Sequence, residues 1–145
     1  MMNVLAPLLA ILSGAAPAGA APAEPRPPPR AERSAVGGDM LERASEDLAR
    51  IHRALKEVLT RVEDARDEKD LLKLLCADEK LSRVKVLVSV AERAEVALAE
   101  ALANRDEAAP IESSKIAIAR GKADALRGEA AGCIGQLAYE VGGKT

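Results

Sequence analysis

Cys76 and Cys133 are the residues of this chain best equipped to make a covalent bond with each other, and no other cysteine is present. Both stand where the apolar pattern asks for a buried residue. Cys133 lies on the seam of the last expected helix, and Cys76 continues the spacing of the first. In an oxidising compartment, two cysteines in a small exported domain pair most simply as one disulfide. Two reduced cysteines acting as small hydrophobes are the second reading. A redox-active pair comes third, because there is no C-x-x-C. Geometry constrains the bond. In a helical hairpin Cys76 faces Cys133 when the turn centres at roughly residue 104.5, whereas the loop-forming residues centre at about 107. The resulting offset of about five residues is roughly 7.5 Å of helix. Bonded cysteines need Cα atoms within about 7 Å, so the turn must sit early or the helices must slide. Closing a loop of roughly 60 residues stabilises by about 4 kcal/mol in the chain-entropy model.

Other chemistry fails on inspection. His52 is the lone histidine, on the first helix with no second His and no Cys within a turn. It reads as an exposed helical side chain rather than a ligand. Ser82-Arg83-Val84-Lys85 fits S-x-x-K, but the companion motifs of that hydrolase family are absent and Val84 falls on a buried seam. Gly143-Lys144-Thr145 imitates the end of a phosphate loop, yet the glycine needed at 138 is Ala138. No catalytic residue, metal ligand or cofactor site is nominated, and the chain is expected not to be an enzyme.

Composition narrows the partners. The chain has 145 residues, room for one modest domain. Its 21 basic and 23 acidic residues nearly cancel, so no single-sign field exists to steer a polyanion. Tyr139 is the sole aromatic residue, which removes the stacking faces that single-stranded nucleic acid and quaternary ammonium ligands use. No nucleic acid partner is expected. Acidic residues match basic ones on the polar faces, unlike helices that bind anionic lipid, so no strong membrane signal remains after leader removal. A protein partner or a homodimer is what the composition leaves.

Four segments follow in order. Residues 1–20 read as a signal peptide: a short apolar core from Val4 to Leu12, then the small-residue site Ala18-Gly19-Ala20 with cleavage before Ala21. The core is too short to span a bilayer, which takes roughly 20 apolar residues. The first residues, Met1 to Asn3, carry no Lys or Arg, which departs from the usual leader. Residues 21–38 hold Pro22, Pro25 and Pro27-Pro28-Pro29 before Gly37-Gly38, a semi-stiff disordered tether. A helical bundle is expected over 39–141, with helices over about 39–67, 70–104 and 110–141, and a tail over 142–145. The destination is a periplasmic or secreted protein.

Positioning within the bundle comes from heptads. From Asp39, an expected N-cap, to residue 103 there is no Gly, Pro or Asn. Apolar residues recur at Leu41, Ala44, Leu48, Ile51, Leu55, Val58, Val62 and Ala65, alternating three and four apart. This is a coiled-coil seam. A second series, Leu74, Ala77, Leu81, Val84, Val88, Ala91, Ala94, Leu98 and Ala101, is out of phase with the first. Between them Glu63–Asp70 is almost wholly polar. One long helix with a phase slip competes with a corner near Asp67–Asp70, and the corner is favoured. Asn104 to Pro110 marks a second turn, and a third seam runs Ile116, Ala119, Ala123, Leu126, Ala130, Cys133, Leu137. The fold class is therefore all-α, an antiparallel hairpin or three-helix coiled-coil-like bundle.

Gly121, Gly128 and Gly135 recur every seven residues opposite the third seam, and Gly132 adds a small-x3-small pair with Gly128. Each helical glycine costs about 1 kcal/mol relative to Ala. One reading is a second packing interface, such as a homodimer; the other is tolerated glycines on a solvated face.

The block Asp67-Glu68-Lys69-Asp70, Cys76, Glu79-Lys80-Leu81, Ile118-Ala119-Arg120 and Cys133-Ile134-Gly135-Gln136 resembles predicted-exported helical proteins of myxobacterial type, over about residues 46 to 141. That group has no assigned activity, so the resemblance implies none. It supports treating Cys76 and Cys133 as a pair.

The functional expectation is an exported structural or adaptor protein that acts through helical packing surfaces. A periplasmic holdase-type chaperone, or another binding module, is the alternative.

Overall fold

The structure, a computed structural model, describes residues 30–135. The expected leader, the expected tether up to residue 29, seam residue Leu137 and the expected tail over 142–145 lie outside the described residues. Three helices pack on one another: α1 Arg30–Asp67, α2 Leu71–Asn104 and α3 Ala109–Ala131. This is the expected all-α bundle, with no strand among the described residues.

The first corner forms where apolar residues run out. Lys69 adopts a left-handed backbone, φ 54°. Asp70 stands as N-cap of α2, its Oδ1 accepting from the Lys73 N–H at 3.0 Å. Helix-closing bonds from Glu68 N–H to Asp64 O and from Asp70 N–H to Ala65 O satisfy the orphan carbonyls of α1. The change of seam phase is thus a true turn. At the second corner Arg105 takes the left-handed position, φ 57°, and Asp106 N–H reaches back to Ala101 O at 2.8 Å. Pro110 sits in the first turn of α3, where a missing N–H costs nothing.

Three boundaries differ from expectation. α1 begins at Arg30, so residues 30–38 of the expected tether are helical and Asp39 is a mid-helix residue rather than an N-cap. Pro29 is the last proline before the seam, and nothing after it blocks propagation. Gly37 is accommodated by packing: a Cβ there would come within 3.3 Å of Leu102 Cδ2. α3 ends at Ala131, ten residues before the expected end at 141. Gly128 and Gly132 weaken the last turn, and Gly132 N–H closes onto the Gly128 and Glu129 carbonyls. Cys133 therefore lies just beyond the helix instead of on it.

The seams meet inside. Ile51, Val58, Val62, Val84, Leu98 and Ile116 are fully buried. Burying each such side chain contributes about 1.5–3 kcal/mol. Alanines fill most remaining core positions, among them Ala44, Ala77, Ala91, Ala94, Ala119 and Ala123. Small side chains let the helix axes approach closely, which is how a core without aromatics excludes water. Leu41, first on the seam, is exposed, and Ala54, off the seam, is buried. α1 and α3 run parallel, stitched by Arg120–Asp47 at 3.0 Å and Arg127–Glu57 at 3.2 Å.

Candidate functional site

The cysteines come first. Cys76 in α2 and Cys133 after α3 are joined by a disulfide with Cα atoms 5.9 Å apart. Register explains how. Lys80 Nζ meets Glu129 Oε2 across the hairpin at 3.3 Å. Cys76 lies four residues before Lys80 and Cys133 four after Glu129, so both pairs share one alignment. The helices have slid into the register that the bond requires. Cys133 packs against the core cluster of Val58, Val62, Leu81 and Leu126, so the link fastens the open end of the hairpin.

The remaining chemical candidates stay apart. His52 Nε2 lies 3.3 Å from Glu92 Oε1, with both side chains about half exposed. Ser82 and Lys85 are exposed around the buried Val84. No group of three or more His, Cys, Asp or Glu able to hold a metal occurs among the described residues. No described helix is long and apolar enough to cross a membrane.

What the fold does assemble is a surface. Along the outside of α3, opposite its seam, stand Ile111, Ser114, Ile118, Gly121, Ala125, Gly128 and Gly132, again alternating three and four apart. All are exposed and none is charged, in a chain with 30% charged residues. Ile111 and Ile118 are 60% and 59% exposed. A Cβ added to Gly121 or Gly128 would meet nothing within 4 Å. Gly135 departs from the predicted stripe: it lies beyond the helix, and a Cβ there would collide with the Asp70 carboxylate. The glycine that needs close approach is thus Gly135, against α2, while Gly121 and Gly128 face outward.

α2 completes the surface. Val86, 63% exposed, lines a groove of about 410 Å³ between α2 and α3, and Val90, 43% exposed, follows it one turn later on α2. Leu87, Ala125 and Leu126 line it, with Arg83, Lys122 and Glu129 at its rim. The spacing of the glycines points to this face, whereas its isoleucines and valines fall outside the one seam per helix that marks the core. Two interleaved heptads on α3 were the available signal.

No family model, curated protein or solved structure matches this chain. Its function must be argued from this surface alone.

Proposed function

We propose that this chain is a non-enzymatic, exported structural or adaptor protein that acts by docking a protein helix on the outer face of α2 and α3. The supporting observation is the uncharged second heptad of α3 beside Val86 and Val90. A solvated helix face ordinarily carries long charged side chains, and exposed apolar patches mark interaction sites. The Cys76–Cys133 bond and the leader-like N-terminus are compatible with export. The resemblance to exported helical proteins of myxobacterial type is in keeping with that compartment and adds no activity.

Site-specific photo-crosslinking in cells tests this reading. A crosslinker replacing Ile118 should yield a discrete protein adduct, while one replacing Arg53 on the charged face of α1 should yield none. Equal labelling from both positions, or none from either, removes the docking face. Fractionation with mass analysis of the exported chain should give an N-terminus at Ala21.

The holdase reading draws on a different observation. Leu71, Leu72 and Leu75 are all exposed on the first turns of α2. Suppression of client aggregation that disappears in Leu71→Ser/Leu75→Ser but survives changes at Ile118 would favour it over the adaptor.

A further inference from the structure

We propose that the occupant of the outer α3 face is a second copy of this chain, with α3 packed antiparallel against α3. This rests on the preceding reading of the face as a docking surface and names its partner.

In an antiparallel helix pair, the two kinds of seam position alternate across the interface. One register of α3 places Ile118 opposite the second copy's Gly128, and Ala125 opposite its Gly121. By the twofold symmetry every such contact occurs twice. Ile118 then finds a glycine, and the open space above Gly121 and Gly128 becomes the hole for a knob. Two convex ridges would hold each other apart; this face alternates ridge and hollow along its length.

Flanking charges choose among registers. In the register just described, Lys115 of each copy stands beside Glu129 of the other. Sliding the helices by one heptad keeps isoleucine over glycine, since Ile118 then meets Gly121, but it sets Lys115 against Lys122 twice. Parallel pairing sets Asp124 against Glu129 twice and stacks Ile118 on itself. Both alternatives set like charges against each other and bring no opposite pair; only the preferred register adds two opposite pairs. Lys122 and Asp124 each meet their own copy near the axis, the two unfavourable contacts of that register. The 23 residues of α3 span about 35 Å. One helix per copy makes an interface at the small end, below about 1,200 Å² in total, the size class of weak and transient contacts.

Sedimentation equilibrium of the full chain over a wide concentration range, with far-UV circular dichroism and denaturation midpoints recorded for every variant, tests the proposal. The wild type should dimerise reversibly. Gly128→Leu should abolish the dimer without lowering helicity or midpoint, since a Cβ at that position meets nothing within 4 Å in the monomer and Leu is the better helix former. Lys115→Glu should weaken association about tenfold, and adding Glu129→Lys should restore it. Lys122→Gln should tighten it. A chain monomeric at the highest concentration overturns the proposal, as does a dimer indifferent to Gly128→Leu or a charge swap that fails to restore. A monomer that still yields an adduct with a different protein from Ile118 removes the second copy alone and leaves the docking face standing.

Discussion

The outer faces of α1 and α3 sit at equivalent places in the bundle and are built from opposite materials. On α1 the outward heptad runs Glu46, Ala49, Arg53, Lys56, Thr60, Glu63 and Asp67, all exposed and mostly charged. On α3 it runs Ile111, Ser114, Ile118, Gly121, Ala125, Gly128 and Gly132, all exposed and none charged. The inner faces do not differ in this way, because each supplies a regular apolar seam. Stability alone therefore accounts for α1, whose charged face is solvated and whose buried face meets its neighbours. It does not account for α3, where two helical glycines cost about 1 kcal/mol each relative to Ala with no packing gained in the monomer. A face poorer for the monomer than its counterpart is the pattern expected where something else covers it.

The sharpest way to break the comparison uses two isoleucines on one helix. Ile116 is fully buried and Ile118 is 59% exposed. Ile116→Ala should lower the unfolding free energy by about 2–5 kcal/mol, whereas Ile118→Ala in dilute solution should stay within about 0.5 kcal/mol. Urea titration measures both. Comparable losses would mean that Ile118 is part of the monomer's core and that the outer seam is no interface.

Next in size is the disulfide. Cys76→Ser/Cys133→Ser should cost about 2–4 kcal/mol. The effect should appear in the midpoint and not in dimer affinity, since Cys133 packs on the inner cluster and not on the outer seam. Reduced association at temperatures where the variant remains folded would tie the bond to the interface and blur the two faces into one device.

The inner faces were legible in the sequence and the outer ones only partly so. Three apolar seams, the first and third in unbroken three-four alternation, located the core, and the phase change around Glu63–Asp70 located the first corner. What escaped was whatever depends on contacts between segments. Helix over 30–38 is permitted where Leu102 packs against Gly37, a contact from the far end of α2 that local composition cannot announce. The end of α3 at Ala131 reflects weak helical glycines and a chain drawn across to Cys76. The sliding that aligns the cysteines is set by side-chain interdigitation, which turn position alone does not determine. Gly121, Gly128 and Gly135 looked equivalent by spacing, yet only the last is pressed against another element.

That inequality among glycines supplies the next test. Gly121→Ala and Gly128→Ala, measured at dilution, should each stabilise by about 0.5–1 kcal/mol, because Ala is the better helix former and its methyl meets open space. Ala49→Gly on α1 should lose a similar amount. Gly135→Ala should destabilise instead, by displacing the Asp70 carboxylate at the cap of α2. Same-sign effects at all three glycines would erase the distinction between an outward face and a packed one.

The smallest expected effect concerns the corner that makes the bundle possible. Lys69 holds a left-handed backbone, which for a residue with a Cβ costs about 1–2 kcal/mol. Glycine adopts that conformation freely but loses more entropy on folding, so the two terms partly cancel. Lys69→Gly should therefore raise stability by a few tenths to about 1 kcal/mol, without altering the Lys73–Glu68 pair at 2.8 Å that spans the turn. Arg105→Gly at the second corner should behave alike, because Arg105 occupies the same backbone region at φ 57°. A loss of stability at either position would mean that the side chain, and not the backbone, holds the corner. In that event the polar run Glu63–Asp70 would be a set of specific contacts rather than the simple absence of apolar residues.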